Sequence, residues 1–233
     1  MKIKAGTIWV FALMLAAALM LCGCAGQGKD TKAAPEESGS EVDYMVLVNS
    51  ENPLPEDWLD RAEFCASINS VGDDVFVEAE AYKAYLELKK DVEKELQDRK
   101  VTLELDSAYR SEAAQQKIVD EFTEKYGADY VKQYVAVPGY SEHHTGLALD
   151  LYFIVDGKTV YENEDLEQYP EIWDAIHKKM PEYGFILRYP EGKEKITGVS
   201  YEPWHMRYVG SPETAGKITD QGVTLEEYLA EKK

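Results

Sequence analysis

The stretch GLALDLYFIV, residues 146–155, decides the fold. It is apolar except for Asp150, and the turn residues Asp156 and Gly157 close it, so it is the strongest β-strand candidate in the chain. Because side chains alternate along a strand, the leucines around Asp150 are predicted to enter the core, while Asp150 shares the other face with small Gly146 and Ala148. The small neighbours are expected to leave space for a metal and a substrate. A lone carboxylate in an apolar strand is costly, so we expect Asp150 to be a metal ligand.

The flanking sequence predicts helices early in the chain and strands late. Apolar residues at helical spacing predict a long helix over 78–100, followed by a strand over 101–105. Ser111 is suited to cap a helix over 112–126, which Gly127 ends. Other predicted elements are a β-type run at 44–49, a helix over 166–183, two paired strands over 185–189 and 199–208, and short helices over 211–222 and 224–230. The pattern predicts an α+β fold, in which a small antiparallel sheet carries the functional site and packs against helices.

Two dense polar clusters hold three of the chain's four histidines. Residues 141–150 read SEHHTGLALD and residues 202–205 read EPWH. Together they offer two imidazoles, an aspartate and a glutamate. This is the inventory of a catalytic zinc site, which has three protein ligands, an open position for water and a free carboxylate that moves protons. Residue type does not separate His143 from His144, but adjacent side chains point in different directions, so one of them is expected to bind the metal.

The spacing of Glu202 and His205 predicts a turn. Pro203 lies between them, which excludes a regular helix interior, and in a flat strand two positions three apart face opposite sides. A turn or irregular end is needed to bring both side chains to one metal, where Glu202 could act as a general base. His177, followed by two lysines in a predicted helix, is interpreted as a helix-surface residue.

Arg110 has two open interpretations. It follows a predicted strand at the predicted start of a helix, where a guanidinium can donate a fork of hydrogen bonds to a carboxylate or a developing oxyanion. It could equally be a solvated surface arginine.

Composition excludes some partners. The net charge is −19, and the hydrophobic fraction of 45% predicts one folded domain of ordinary size. Removal of Lys2 and Lys4 with an N-terminal leader would bring the charge to −21. A nucleic acid or an anionic membrane surface would be repelled by such a field, so no nucleic acid partner is expected.

The N-terminus predicts export and lipidation. Lys2 and Lys4 precede an apolar stretch, residues 8–21, that is short for a membrane span. The stretch ends in Leu-Cys-Gly-Cys, residues 21–24, which resembles a bacterial lipobox with Cys24 as the lipidated residue. An ordinary secretory signal is the alternative. We predict a lipoprotein signal peptide over 1–23, a flexible tether over 24–41 and a catalytic domain over 42–233. The domain would then be anchored to the outer face of the bacterial cell membrane.

An ordered set of motifs resembles the VanY-type D-alanyl-D-alanine carboxypeptidases, a family of zinc peptidases that trim peptidoglycan stem peptides. The motifs span about residues 45–210. They are NPLP at 52–55, SAYRS at 107–111 with Gln115, PGYSEH at 138–143, TGLALD at 145–150, GFILRYP at 184–190 and EPWH at 202–205. The same motifs are shared with L,D-carboxypeptidases and VanX-type dipeptidases. The resemblance implies a hedgehog/DD-peptidase-like fold.

The resemblance also implies residue roles. One zinc ion per chain would be held by His143, Asp150 and His205, since six residues between histidine and aspartate is the family's spacing. Relatives commonly have glutamine where His144 stands. Glu202 would be the general base and Arg110 would polarise the scissile carbonyl or hold the oxyanion. The pocket for the terminal D-alanine would be lined by Ser107, Gln115, Ser141 and Tyr189.

The activity implied is removal of the C-terminal D-alanine from peptidoglycan stem peptides or their precursors by attack of zinc-bound water, in a monomer. The alternatives are an L,D-carboxypeptidase or D,D-dipeptidase specificity, and a non-catalytic lipoprotein that binds wall peptides and keeps zinc as a structural remnant. Glu202 argues against the last, because a structural zinc site closes with four ligands and needs no free carboxylate.

Overall fold

The computed structural model describes residues 41–232. The predicted signal peptide, the lipidation of Cys24 and all of the predicted tether except Glu41 lie outside these residues. Within the described part of the chain, no helix combines the length and the apolar character needed to cross a membrane.

Helices and short strands are interspersed along the described residues. The strands are β1 (Phe64–Ile68), β2 (Asp74–Glu78), β3 (Val101–Ser107), β4 (Ala148–Val155), β5 (Lys158–Val160), β6 (Phe185–Leu187) and β7 (His205–Tyr208). The helices are α1 (Trp58–Arg61), α2 (Ala79–Glu95), α3 (Glu112–Tyr126), α4 (Ala128–Tyr134), α5 (Asn163–Leu166), α6 (Pro170–Lys179), α7 (Glu194–Thr197), α8 (Pro212–Gln221) and α9 (Leu225–Ala230). Short 3₁₀ turns occur at Gln97–Arg99, Glu142–Thr145 and Met180–Tyr183.

The main sheet is antiparallel and is built around β4. Its strands lie in the order β3-β4-β7-β6, and β5 pairs with β4 as a branch, while β1 and β2 form a separate hairpin. The predicted α+β fold with a small antiparallel sheet is confirmed. The structure therefore places the strand that carries Asp150 in the interior of the sheet.

The leucines of the β4 region fix its register. Leu147, Leu149 and Leu151 are each at most 1% exposed. Each buried leucine stabilises the fold by roughly 1.5–3 kcal/mol, and a one-residue slip would turn Asp150 into the core in their place. Helix α2 covers this core with Tyr85, Leu88 and Val92. The side of the strand that holds Asp150 is thereby set by the packing of its neighbours.

Gly146 does not leave space for a metal, as was expected, but has a conformational role. Its φ of +70° ends the 3₁₀ turn before β4, so the strand begins at Ala148 and Gly146 is not part of it. A Cβ at this position would lie 2.5 Å from Cε1 of Phe64. The missing side chain therefore admits Phe64 and a left-handed backbone, rather than a metal.

Several element boundaries differ from the predictions. Helix α3 matches 112–126, whereas α2 ends at Glu95 and the helix predicted over 166–183 begins at Pro170 and finishes as a 3₁₀ turn. The run at 44–49 forms only an isolated bridge between Asn49 and Asn52. The strand predicted over 199–208 is reduced to β7, because residues 202–205 form a turn.

The β1–β2 hairpin was not predicted. Every residue of β1 is partly or fully exposed, so this strand lacks the alternation of buried and exposed positions that predicts a strand from sequence. Its turn depends on one side chain, since Oδ1 of Asn69 accepts hydrogen bonds from the backbone N–H groups of Val71 and Asp73 at 3.2 and 2.9 Å. This is Asx-turn chemistry, which the sequence Asn-Ser-Val-Gly-Asp could have indicated.

Candidate active site

The strand register brings the two polar clusters together. Ser107, Asp150 and His205 are register partners on three neighbouring strands, with Asp150 in the middle. His143 comes from the 3₁₀ turn that immediately precedes β4. The sheet thus places residues 62 positions apart in sequence beside one aspartate.

His143, Asp150 and His205 converge on one point. Nε2 of His143 lies 3.1 Å from Oδ2 of Asp150, and Nδ1 of His205 lies 3.0 Å from Oδ1. The three candidate ligand atoms all lie within 4.8 Å of one another. Oδ1 of Asp150 is buried and lacks a well-aligned hydrogen bond within residues 41–232, although Nδ1 of His205 lies only 3.0 Å from it. Lone pairs that face each other in this way fit a shared cation, and the nitrogen and oxygen donor set suits zinc.

The other nitrogen of each imidazole is held by the protein. Nδ1 of His143 lies 2.8 Å from the carbonyl oxygen of Ala108, and Nε2 of His205 lies 3.2 Å from Oε2 of Glu142. Both contacts require a proton on the nitrogen that is turned away from Asp150. In the neutral imidazoles they leave a lone pair on the nitrogen that faces Asp150, which is the usual arrangement of metal-binding histidines.

His144 faces away from the cluster. The backbone N–H of Gly139 donates to Nε2 of His144 at 3.0 Å, so Nδ1 must carry the proton and donates to the carbonyl oxygen of Arg110 at 2.5 Å. Both ring nitrogens are thus occupied by backbone groups, and the side chain is 1% exposed. The geometry favours His143 as the metal-facing histidine, and His144 fastens the Arg110 loop to residue 139.

Neighbouring charges shift the pKa values of Asp150 and His205. Burial alone would raise the pKa of Asp150, but the imidazoles of His143 and His205 outweigh it and hold that pKa well below the ordinary value. Burial opposes a charge on His205, yet Asp150 and Glu142 raise the pKa of His205 to about 10. The metal-free site therefore holds a proton at neutral pH that a bound metal would displace.

Glu142 is the centre of a buried ion network that the sequence analysis missed. Its side chain is 1% exposed, and Oε1 accepts from Nε of Arg188 at 2.7 Å and from Nη1 of Arg207 at 2.6 Å. Arg188 also donates to both carboxylate oxygens of Glu226 on α9, at 2.9 and 2.6 Å. Burial would raise the pKa of Glu142, but the two guanidinium groups hold it well below its ordinary value. Arginines in the apolar segments FILRY and HMRY were the available signal, since a buried arginine needs an acidic partner.

The segment Glu202–His205 is a turn, as its spacing predicts. The N–H of His205 donates to the carbonyl oxygen of Glu202 at 3.2 Å, and Pro203 takes the second position of the turn, which proline favours. Oε2 of Glu202 lies 3.6 Å from Nδ1 of His205. Burial raises the pKa of Glu202 to about 7, where a general base works best at neutral pH. The structure thus places a free carboxylate beside the three-residue cluster.

His177 supports this turn, which contradicts its assignment to the helix surface. Nε2 of His177 donates to the carbonyl oxygen of Pro203 at 2.9 Å, and its ring stacks on Trp173 with centroids 6.0 Å apart. Sequence periodicity could not show that the 202–205 turn packs on this face of α6.

Arg110 is held in place and is not a solvated surface arginine. Its Nη1 donates to Oε1 of Gln115 at 3.0 Å and its Nη2 donates to Oγ of Ser107 at 3.0 Å. Its backbone N–H donates to the carbonyl oxygen of His143. Gln115 is itself fixed, because its Nε2 donates to the carbonyl oxygen of Ala136 at 2.7 Å. Gln115 and Ser107 together fix the orientation of the guanidinium group.

A cleft of about 600 Å³ opens over these side chains. Of the four residues expected to line a pocket, Gln115, Ser141 and Tyr189 do so, together with the three-residue cluster, Glu202 and Arg110. Ser107 is not among the lining residues and contacts Arg110 instead. Tyr189 packs against His205, with ring centroids 4.7 Å apart. The side-chain amide of Gln115 accepts a hydrogen bond from Arg110 and donates one to the carbonyl oxygen of Ala136, so Gln115 holds Arg110 in position.

A buried His-Asp-His cluster beside an unligated glutamate and an open cleft defines the class of mononuclear metallohydrolases. Comparison with known families is more specific. The family model described as VanY, D-alanyl-D-alanine carboxypeptidase, matches residues 74–211. The chain belongs to this family.

Known relatives agree with this assignment. The bifunctional D-Ala-D-Ala dipeptidase and D-Ala-D-Ala carboxypeptidase VanXYC of Enterococcus gallinarum is 50% identical over 106 residues, which is 44% of this chain and 53% of that protein. The chain therefore spans about half the length of this curated relative.

Two solved structures share the fold over most of both chains. One is a mutant of the vancomycin resistance D,D-pentapeptidase VanY from a VanB-type cassette in complex with Zn(II), with a TM-score of 0.62, 34% identity, and coverage of 80% of this chain and 98% of that one. The other is the LD-carboxypeptidase LdcB, with a TM-score of 0.67, 30% identity, and coverage of 86% and 93%.

Proposed function

We propose that this protein is a zinc-dependent carboxypeptidase that removes the C-terminal D-alanine from peptidoglycan stem peptides. The observation that carries the proposal is the convergence of His143, Asp150 and His205 on one point, with Glu202 Oε2 3.6 Å from His205 Nδ1 at the edge of an open cleft. Membership of the VanY family and the Zn(II) complex of a related structure support it.

In this proposal, Nε2 of His143, the carboxylate of Asp150 and Nδ1 of His205 would hold the zinc ion. Zinc bound there supplies Lewis-acid chemistry, which lowers the pKa of water and polarises a carbonyl group. Glu202 accepts the proton of the attacking water and delivers it to the leaving amine. Its pKa of about 7 suits both transfers, although the charge of a bound cation lowers it.

Arg110 lines the cleft beside the His143, Asp150 and His205 cluster. Its planar guanidinium, fixed by Ser107 and Gln115, is suited to bind the substrate's terminal carboxylate or the oxyanion of the tetrahedral state. Ser141 and Tyr189 complete the wall around the terminal D-alanine. A pocket that needs a terminal carboxylate favours an exopeptidase.

A D,D-dipeptidase activity is the second candidate, because the relative in Enterococcus gallinarum has both activities. An L,D-carboxypeptidase activity is the third, from the likeness to LdcB. Incubation of the zinc-loaded protein with stem peptides ending in D-Ala-D-Ala, with stem peptides ending in L-Lys-D-Ala and with free D-Ala-D-Ala, followed by mass measurement, separates the three. We expect loss of one alanine from the first. If the zinc-loaded protein leaves all three intact, the proposal is wrong.

We also propose that the protein acts outside the cytoplasm as a monomeric lipoprotein anchored through Cys24. The lipobox-like segment 21–24 supports this, and the related LD-carboxypeptidase LdcB recognises peptidoglycan. Replacing Cys24 with Ala should release the protein from the membrane fraction while its activity on peptides is retained. Membrane association of the Cys24→Ala variant would show that residues 8–21 anchor the chain instead.

A further inference from the structure

A segment of the cleft wall is joined to Arg110 by two separate routes. Most of residues 135–141 line the cleft, and this segment is called the 135–141 wall. The first route runs through side chains. Nη1 of Arg110 donates to Oε1 of Gln115 at 3.0 Å, and Nε2 of Gln115 donates to the carbonyl oxygen of Ala136 at 2.7 Å. The guanidinium group is therefore oriented from Ala136, a residue of the wall.

The second route runs through the imidazole of His144. The backbone N–H of Gly139 donates to Nε2 of His144 at 3.0 Å, and Nδ1 of His144 donates to the carbonyl oxygen of Arg110 at 2.5 Å. Because it accepts at one nitrogen and donates at the other, the ring bridges two backbone groups. The ring is buried, so little water can take the place of either partner.

The two routes meet within one turn of the wall. The N–H of Tyr140 donates to the carbonyl oxygen of Val137 at 3.0 Å, which closes a turn. This turn contains Gly139, where the second route ends, and it directly follows Ala136, where the first route ends. The hydrogen bonds therefore form a closed ring that begins at the backbone of Arg110 and returns to its guanidinium group.

Loss of His144 would open this ring without detaching the wall from the protein. Gly139 would stay in place at its other side, because its carbonyl oxygen accepts from the N–H of Leu54 at 2.8 Å. The backbone of Arg110 would, however, be free to shift relative to Ala136, which orients the guanidinium group through Gln115. Hydrogen bonds weaken steeply as their angles worsen, so a misoriented guanidinium binds a carboxylate less tightly.

We propose that His144 is a positioning residue for Arg110 and that it sets how tightly the site holds the substrate's terminal carboxylate. This inference rests on the proposed carboxypeptidase function, in which Arg110 binds that carboxylate. Backbone groups occupy both ring nitrogens of His144, so the residue acts through Arg110 and the 135–141 wall rather than on the substrate. Its removal should weaken recognition of the carboxylate and leave zinc bound.

One pair of peptides measures this recognition in the zinc-loaded protein. The pair is Nα,Nε-diacetyl-L-Lys-D-Ala-D-Ala with a free C-terminal carboxylate and the same peptide with a C-terminal amide. The measured quantity is the ratio of kcat/KM for the acid to kcat/KM for the amide. We expect a ratio of about tenfold or more in the unchanged protein, as for a charge-assisted hydrogen bond. In His144→Leu the ratio should be lower by about threefold or more, an effect the size of one ordinary hydrogen bond, through a higher KM for the acid.

The ratio separates positioning from stability. Both peptides are measured on one preparation, so a smaller fraction of folded enzyme lowers both rates and leaves their ratio unchanged. The conservative variant His144→Gln should keep the ratio of the unchanged protein, because its amide offers an acceptor and a donor to the same two backbone groups. The matched control is His177→Leu, which removes a histidine that supports the Glu202 turn instead. It should lower kcat for both peptides and keep their ratio.

A second variant covers the case in which His144→Leu does not fold. The side chain in His144→Asn keeps a donor near the carbonyl oxygen of Arg110 but is too short to reach Gly139 as well, so it should lower the ratio too. If neither variant folds, His144 serves stability and the inference is wrong. Zinc content is measured on the same preparations, and a loss of zinc in His144→Leu would overturn the inference by showing an effect on the neighbouring ligand His143.

The remaining outcomes separate this inference from the proposed function. If the unchanged protein cleaves neither peptide, or both equally well, the proposed carboxypeptidase function fails and the inference fails with it. If the unchanged protein prefers the acid and His144→Leu keeps that preference, the function stands and the role of His144 is refuted. An equal loss of preference in His144→Gln and His144→Leu also refutes it, because the bridge between Gly139 and Arg110 would then not be the cause.

Discussion

Nε2 of His205 lies 3.2 Å from Oε2 of Glu142, a residue that is almost completely buried. The contact fixes the imidazole so that Nδ1 points at Asp150. Glu142 is in turn held by ion pairs with Arg188 and Arg207. The orientation of His205 therefore depends on charged residues that are not candidate metal ligands themselves. Such supporting contacts set metal affinity as well as geometry.

Replacing Glu142 with Gln should weaken zinc binding by about 10–100-fold, since outer contacts of metal-binding histidines have effects of that size. Gln is of the same shape, but it lacks the charge that orients His205 and neutralises the arginines. Competition with a chromophoric chelator measures the affinity. The control is Glu121→Gln, at an exposed position on α3. Equal affinity in Glu142→Gln and the control would mean that Glu142 does not support His205.

Replacing Glu202 with Gln should lower kcat by about 10²–10⁴-fold and leave one zinc ion per chain. Glu202 lies beside His205 without being part of the converging cluster, so it is expected to move protons rather than to hold the metal. Turnover of a D-Ala-D-Ala peptide and zinc content by atomic absorption are measured on the same preparation. A parallel loss of zinc would show that Glu202 is a ligand.

Amidation of the substrate's C-terminus should lower kcat/KM at least tenfold. It removes the charge that Arg110 is proposed to bind, and a charge-assisted hydrogen bond contributes about 1.5–3 kcal/mol. In the variant Arg110→Lys, which cannot form the same planar fork, the difference between free-acid and amidated peptides should shrink. Equal cleavage of both peptides by the unchanged protein would identify an endopeptidase.

The metal-free protein should lose stability in acid through Glu142. Its folded-state pKa is held below the unfolded value of about 4.3, so its contribution is fully present above that value and is lost as pH falls through the folded-state pKa. Urea unfolding in a chelator at pH 7 and at pH 3.5 measures the change. The Glu142→Gln variant should have a smaller acid-induced loss than the unchanged protein. An identical loss would show that other carboxylates carry the effect.

Local patterns predicted the α+β fold and the two polar clusters that meet at the site, but the choice of His143 over His144 came from the resemblance to the VanY family. The apolar run around Asp150 indicated a central strand, and the spacing of Glu202 and His205 indicated a turn, which the structure has. These features depend on residues that are near in sequence. The strand alternation was also sufficient to place Asp150 opposite the leucines.

Long-range contacts could not be predicted in the same way. Glu142 stands next to His143 in the sequence, but its partners lie 46 and 65 positions away, Arg188 just after β6 and Arg207 on β7. A bulge in β3 at Asp106 likewise depends on the pairing of β3 with β4, which one strand alone does not specify. His177 finds Pro203 only because α6 packs behind the turn.

The link from α9 to His205 connects the site to the C-terminal helix of the described residues. Glu226 holds Arg188, Arg188 holds Glu142, and Glu142 orients His205. A chain cut before α9 would contain every candidate metal ligand but would lack the carboxylate at the far end of this series. Arg188 would then have one acidic partner fewer, so the imidazole of His205 would be less firmly oriented even though no ligand is missing.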